Sequence, residues 1–112
     1  MISKYDRFSG LYYKCWIKDG FLMHREDGPA IEYYDGSREW CIDGYRHRID
    51  GPAVEQPNGY KAWYINGKLH RENGPAVEHP DGTKQYWLNG INISSLKTLL
   101  LCYPDNKTIN LV

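Results

Sequence analysis

Apolar and polar residues alternate in short runs along most of this chain, and Asn-Gly or Asp-Gly pairs separate the runs. Alternation with a period of two predicts β-strands, and these dipeptides are the strongest short-range signal for a β-hairpin. The pattern predicts a first strand at 12–17, behind an N-terminal segment that covers one end of the sheet. Near the C-terminus, Leu96, Leu99, Leu100 and Tyr103 have helical spacing, which predicts a short capping helix before Pro104 and a final strand at 108–112.

A tandem repeat organises the middle of the chain. The motif His-Arg-x-x-Gly-Pro-Ala begins at residues 24, 47 and 70, a period of 23 residues, and each copy continues through an aromatic residue and two turn dipeptides. The residues that recur in register are His24, His47 and His70; Arg25, Arg48 and Arg71; Gly28, Gly51 and Gly74; and Trp40, Trp63 and Tyr86. Because one such unit cannot bury its apolar side alone, the repeat predicts an all-β stack of antiparallel hairpins in an elongated meander.

The length and the repeat together predict the domain organisation. With 112 residues, the chain is long enough for one domain and too short for two. We expect a cap and a degenerate repeat in 1–23, full repeats in 24–46, 47–69 and 70–92, and a C-terminal cap helix and tail in 93–112.

The strand register can be calculated if the first turn of each unit has a two-residue loop. This assumption places Ile31 opposite Trp40, and the equivalent pairs are Val54 with Trp63 and Val77 with Tyr86. The aromatic residues then share a face with Ile42, Ile65 and Leu88, which predicts a buried stripe. The opposite face, which carries Cys41, Tyr64 and Trp87, is predicted to be mixed and solvated.

The Gly-Pro pairs predict a corner between units. Glycine tolerates unusual φ angles, and proline cannot serve in a central strand. The sequence leaves open whether this corner is a kink in one strand or a third turn. The recurrent arginines could form an anion-binding ladder. We favour a structural brace, because acidic residues repeat together with them.

Composition and charge narrow the function. Fourteen basic and fourteen acidic residues cancel, which argues against a nucleic-acid-binding or membrane-binding surface. Three cysteines without C-x-x-C spacing predict reduced thiols and a cytoplasmic protein. No nucleophile motif or phosphate loop is present, and equivalent histidines lie too far apart to share one ion. We therefore expect no catalytic residue, no metal site and no cofactor.

The positions that differ between units are the candidates for specificity. The framework holds the stack together, so a partner is expected to bind where the units diverge. Tyrosine and tryptophan are common at the centres of protein interfaces. The predicted partner-binding residues are Tyr45, Tyr60, Tyr64, Gln85 and Trp87.

The repeat resembles a known family. The period, the segment Trp63-Tyr64-Ile65-Asn66-Gly67 and the later Asp-Gly pair resemble MORN repeats, which form consecutive β-hairpins. The motif at 24–30 and the segment at 66–71 are more similar to the MORN-like "HREDGPA / WYxNGK" repeats frequent in large DNA viruses and bacteriophages. This resemblance covers about 24–90 and implies a β-repeat fold and a viral origin. It carries no reaction and no defined ligand.

These observations predict a non-enzymatic protein-binding module. In its sharpest form, the hypothesis is a small phage or viral protein that binds and inhibits a host protein, such as a defence component, in the host cytoplasm. One alternative is a MORN-type scaffold at a lipid or membrane surface. Another is a self-assembling module that forms homo-oligomers through exposed edge strands.

Overall fold

Short antiparallel strands are the main regular secondary structure of the described chain, which comprises residues 2–4 and 12–96 of a computed structural model. The strands are β1 (Ile2–Lys4), β2 (Tyr12–Lys18), β3 (Leu22–Met23), β4 (Ile31–Tyr33), β5 (Arg38–Glu39), β6 (Cys41–Ile42), β7 (Tyr45–Arg46), β8 (Val54–Glu55), β9 (Lys61–Ala62), β10 (Tyr64–Ile65), β11 (Lys68–Leu69), β12 (Val77–Glu78), β13 (Lys84–Gln85), β14 (Trp87–Leu88) and β15 (Ile91–Asn92).

The strands form one main meander sheet and three small hairpins. The main sheet has the order β1-β2-β4-β5-β8-β9-β12-β13. The short strand β3 pairs with the C-terminal half of β2, on the edge opposite β1. The hairpins are β6–β7, β10–β11 and β14–β15, one for each 23-residue unit. A short helix begins at Ser94. The predicted all-β fold is confirmed; the rest of the predicted helix and the strand at 108–112 lie outside the described residues.

The two turn dipeptides of each unit form different turns. Asp43 and Gly44 both have positive φ, 50° and 83°, as a two-residue type I′ hairpin requires. At the first turn, only Gly36 has positive φ, and the Tyr33 N–H donates to the Ser37 carbonyl at 2.9 Å. This is a three-residue loop, in which a type I turn is followed by a glycine bulge. The prediction of a two-residue loop was wrong at this turn.

The extra loop residue shifts the register by one position. Ile31 lies opposite Glu39 rather than Trp40, and the equivalent pairs are Val54 with Ala62 and Val77 with Gln85. Because side chains alternate across a sheet, a shift of one residue changes which residues share a face. The three residue pairs that were calculated from the sequence are therefore wrong by one position.

One face of the main sheet, which we call the core face, holds a single row of mostly buried residues. Ile31 is 7% exposed, Val77 is 4% exposed and Ala62 is fully buried. The full row across the strands is Cys15, Ile31, Glu39, Val54, Ala62, Val77 and Gln85. The predicted buried stripe of Trp40, Trp63 and Tyr86 was wrong: these residues are half-buried and lie on the other face.

That other face, which we call the charged face, carries a row of alternating charges. The row is Lys14, Glu32, Arg38, Glu55, Lys61, Glu78 and Lys84. Lys14 and Glu32 are 3.8 Å apart, and Arg38 and Glu55 are 3.2 Å apart. Opposite charges on neighbouring strands stabilise this register, and a slip of one residue would break these pairs.

Each Gly-Pro corner is a loop folded around an arginine side chain. The Arg48 guanidinium lies 3.9 Å from the centre of the Trp40 ring, donates from Nε to Asp50 at 3.0 Å and donates from Nη1 to the Pro52 carbonyl at 3.0 Å. Arg25 and Arg71 stack at the same distance on Trp16 and Trp63. The corner is therefore neither a kinked strand nor a third hairpin turn.

The guanidinium also explains the glycine of the corner. A Cβ on Gly51 would lie 2.9 Å from Cζ of Arg48, and the same close approach occurs at Gly28 and Gly74. None of these three glycines has positive φ. The expectation that they supply unusual φ angles was wrong; a side chain at these positions would displace the arginine from the ring.

Each histidine of the repeat links the hairpin that ends just before it to the next small hairpin along the chain. The backbone N–H of Asp43 donates to Nδ1 of His24 at 2.8 Å, and His47 and His70 accept the equivalent bonds from Asn66 and Asn89 at 3.0 and 2.9 Å. The donor in each case is the first residue of the next type I′ turn. These side chains therefore fix the small hairpins relative to one another.

The helix at the C-terminal end replaces the missing next unit. The Trp40 and Trp63 N–H groups donate to the carbonyls of Ala53 and Ala76 in the following unit, each at 2.8 Å. The equivalent N–H of Tyr86 donates instead to Oγ of Ser94 at 2.9 Å. A side-chain hydroxyl at the start of the helix thus satisfies the backbone group that a further repeat would have bonded.

We expect Gly51→Ala to destabilise the protein by about 0.5–2 kcal/mol, because the new Cβ moves the Arg48 guanidinium away from the Trp40 ring. The same change in an Arg48→Ala background should cost much less, since the clashing group is absent. Urea unfolding of the four proteins of this double-mutant cycle measures the coupling. Equal costs in both backgrounds would contradict the assigned role of the glycine.

Acid sensitivity should come in part from the first turns. The Ser37 N–H donates to Asp35 and the Thr83 N–H donates to Asp81, and these bonds lower the pKa of both carboxyls. Their contribution is therefore complete above the unfolded pKa of about 3.9 and is lost as the pH falls through the lower folded value. Asn58 accepts the equivalent bond as a neutral amide.

An Asp35→Asn/Asp81→Asn variant should lose less stability than the wild type between about pH 5 and pH 2. Urea midpoints across that range provide the measurement. Asn58→Ser, which changes the equivalent turn without removing a carboxylate, is the control and should keep the wild-type dependence of stability on pH. If the urea midpoint of the double variant falls with pH as steeply as that of the wild type, these carboxylates do not contribute to the acid sensitivity.

Candidate functional site

Differences between the units are concentrated on the core face. On the charged face, each unit has the same arginine at its corner, the same glutamate, and a tryptophan or tyrosine that follows the second main-sheet strand. On the core face, the equivalent residues differ in size and charge. The divergent sets are Tyr33, Gln56 and His79; Glu39, Ala62 and Gln85; Cys41, Tyr64 and Trp87; and Arg46, Leu69 and Asn92. The face of the sheet that varies is therefore the one beneath the small hairpins.

A polar cluster occupies the first unit of this face. Nε of Arg46 donates to one carboxylate oxygen of Glu39 at 2.6 Å, and the Tyr33 hydroxyl donates to the other. The Glu39 side chain is only 11% exposed, whereas the Arg46 side chain is 48% exposed. A buried carboxylate requires such partners, because burial of an unpaired charge is costly. The cluster therefore holds Arg46 at the surface in a fixed position.

A cleft of about 420 Å³ lies beside this cluster. Its apolar wall includes Met23 and Ile31, and Tyr45 stands at its edge with 62% of its surface exposed. The Tyr45 ring lies over Gly67 of the next unit, where a Cβ would be 2.9 Å from the ring. The exposed tyrosine is thus supported from below by a neighbouring turn.

Cys41 forms part of the cleft wall, and its surroundings disfavour the thiolate form. Burial, with a smaller effect of the nearby Glu39 carboxylate, raises the pKa of its thiol to about 11. The thiolate is the reactive form, so very little of it exists at neutral pH. Cys41 and Cys15 are both buried and neither is in a disulfide.

The structure separates the five predicted partner-binding residues. Tyr45 is exposed, whereas Tyr60, Tyr64, Gln85 and Trp87 are half-buried. The rings of Tyr60, Tyr64 and Trp87 pack against the buried row around Val54, Ala62 and Val77. Nε1 of Trp87 also donates to the Gln85 side chain at 3.1 Å. Much of this aromatic set therefore supports the core, and the two-residue register had placed it on a solvated face.

Tyr33, Glu39 and Arg46 were not among the residues predicted from the sequence. A usable signal was present, because Glu39 stands in a set whose other members are Ala62 and Gln85, where a charged residue is unusual. Identification of Tyr33 and Arg46 as its partners required the register and the fold of the small hairpin, which bring residues six and seven positions away onto the same carboxylate.

The histidines accept the bonds that link successive small hairpins, as described above. Within residues 14–96, no group of three His, Cys, Asp or Glu side chains is arranged to hold a metal ion. No helix in the described part of the chain has the length and apolar character needed to cross a membrane. Comparison with protein-family models, curated proteins and solved structures finds no match for this chain.

The pKa of Cys41 gives a test of the cleft. In a Cys15→Ala/Cys102→Ala variant, the Cys41 thiol should react with an aromatic disulfide reagent at pH 8 about two orders of magnitude more slowly than in the same protein unfolded in urea. Absorbance of the released thiolate follows the reaction. Equal rates in the folded and unfolded states would contradict a buried thiol with a raised pKa.

Proposed function

We propose that this chain is a non-enzymatic protein-binding module that recognises one partner through the exposed part of the core face around Tyr45 and Arg46. The observation that carries the proposal is the concentration of repeat divergence on that face. A framework needs equivalent residues in every unit, so side chains that differ there are available to match one partner.

The chemistry of the surface supports this proposal. Tyrosine and arginine are enriched where interfaces contribute most to affinity, and both are positioned here before any partner binds. Tyr45 is supported by the turn at Gly67, and Arg46 is held by Glu39. The adjacent cleft offers a recess for an apolar side chain of the partner, with Met23 and Ile31 in its wall.

The origin of the chain and the identity of its binding partner are the subject of a more specific proposal. The "HREDGPA / WYxNGK" repeats resemble those of large viruses and bacteriophages, and the chain is small and has no net charge. We propose that it acts in the cytoplasm of a host cell, where it binds and inhibits a host protein such as a defence component.

Site-specific photocrosslinking tests the surface. A photoreactive phenylalanine analogue at Tyr45 should give one discrete adduct with a protein in an extract of the cells that express the chain. The control carries the analogue at Tyr34, a similarly exposed tyrosine with 60% of its surface accessible, in a turn of the main sheet. We expect no equivalent adduct from that position.

The captured partner then allows a direct measurement. Tyr45→Ser should weaken its binding by about tenfold, as loss of an interface tyrosine commonly does, and Tyr34→Ser should not. Equal adducts from both positions would contradict the assignment of the surface. An adduct of the chain with itself would instead indicate a self-assembling module, and absence of any adduct would also count against the proposal.

A further inference from the structure

Two equivalent grooves lie on the charged face between successive arginine loops. The first, of about 680 Å³, has Trp40 and Ile42 in its floor. The second, of about 730 Å³, has Trp63 and Ile65 in the same positions. Ile49 borders both grooves and is 79% exposed. The molecule therefore presents the same aromatic and aliphatic recess twice, with an exposed apolar side chain between the two copies.

The separation of the grooves is set by the sheet. Each unit contributes two strands to the main sheet, and neighbouring strands are about 4.8 Å apart, so equivalent positions lie about 9.6 Å apart. A polyproline II helix has three residues per turn and rises about 3.1 Å per residue, which gives a repeat of about 9.3 Å. Residues three apart on such a helix can therefore enter successive grooves in the same orientation.

The floors of the grooves suit this kind of ligand. Proline-rich segments bind to aromatic-lined grooves because their extended conformation is already formed and little entropy is lost on binding. The indole rings of Trp40 and Trp63 are held in place by the arginines that stack on them. Rings fixed in this way provide a surface that needs no rearrangement before a ligand binds.

The rims of the grooves favour basic side chains. The carboxylates of Asp27 and Asp50 are each 86% exposed, and those of Glu26 and Glu72 are 79% and 54% exposed. The stacked arginines are only 23–29% exposed. The charge accessible to a ligand is therefore mainly negative, although the whole chain is neutral.

We propose that these grooves bind an extended, proline-rich segment of a partner protein that carries an arginine or lysine at every third residue. Two residues of each triplet contact the groove floor and Ile49, and the basic residue reaches the rim carboxylates. This surface is separate from the one around Tyr45. Divergent positions suit a unique partner, whereas repeated positions suit a ligand that itself repeats.

Three synthetic peptides of equal length test the proposal by titration of tryptophan fluorescence. The first contains four Arg-Pro-Pro triplets. The second contains four Glu-Pro-Pro triplets, which preserve the period and reverse the charge. The third contains three Arg-Pro-Pro-Pro units, which keep the conformation and lose the match to the grooves. We expect the first peptide to bind about tenfold or more tightly than either of the others.

Ile49→Ser should weaken binding of the Arg-Pro-Pro peptide about fivefold or more, with little effect on folding because the side chain is exposed. Ile91→Ser is the matched control, since Ile91 is 66% exposed and lies in the last small hairpin, outside both grooves.

No saturable binding of the first peptide below about 1 mM would overturn the proposal. Equal binding of both arginine peptides would also overturn it, because period matching would then be irrelevant. The same is true of equal losses in the Ile49 and Ile91 variants. None of these outcomes changes the crosslinking result at Tyr45, so the two proposed surfaces can fail independently.

Discussion

The stack of an arginine on a tryptophan in the preceding strand pair is the interaction on which this architecture depends. Each guanidinium contacts an indole ring at 3.9 Å, and those of Arg25 and Arg48 also bind an aspartate two residues later and a proline carbonyl four residues later. A cation–π contact contributes about 0.5–2 kcal/mol, more where the groups are shielded from water. Because the ring belongs to one unit and the arginine to the next, one side chain closes the corner and joins it to the sheet of the preceding unit.

Two other constraints follow from this stack. The glycine of the corner must lack a side chain, since a Cβ would meet the guanidinium. The histidine beside each arginine is placed so that Nδ1 accepts a backbone bond from the next small hairpin. The motif His-Arg-x-x-Gly-Pro-Ala is therefore explained residue by residue as a structural joint. Its repetition requires no catalytic or metal-binding role.

The sequence was sufficient for the class of fold and for the position of the turns, because the Asn-Gly and Asp-Gly signals and the 23-residue period are local properties. It was insufficient for the register. Asp35-Gly36 and Asp43-Gly44 look alike in sequence, yet the first has positive φ only at its glycine and the second has it at both residues. The single extra loop residue moved Trp40 away from Ile31 and reversed the assignment of the buried face.

Prediction of the site from the sequence depended on the same extra loop residue. Because the two faces were exchanged, Tyr64 and Trp87 were predicted to be exposed, but they pack against the core. For the same reason Glu39 was not predicted to be part of a site, although it binds both Tyr33 and Arg46. Only Tyr45, in a type I′ hairpin whose register is fixed by both φ angles, was placed correctly as an exposed residue. The register was predicted correctly at the second turn of the unit, which is a two-residue type I′ turn. It was predicted wrongly at the first turn, because the same dipeptide is compatible with two turn types.

The hydroxyl of Ser94 has a consequence for how such a chain changes over generations. It accepts an N–H that a following unit would otherwise have bonded, so the same ending can follow an array with a different number of units. Addition or removal of a whole unit would keep both ends of the array intact. The length of the surface can therefore change without a new ending.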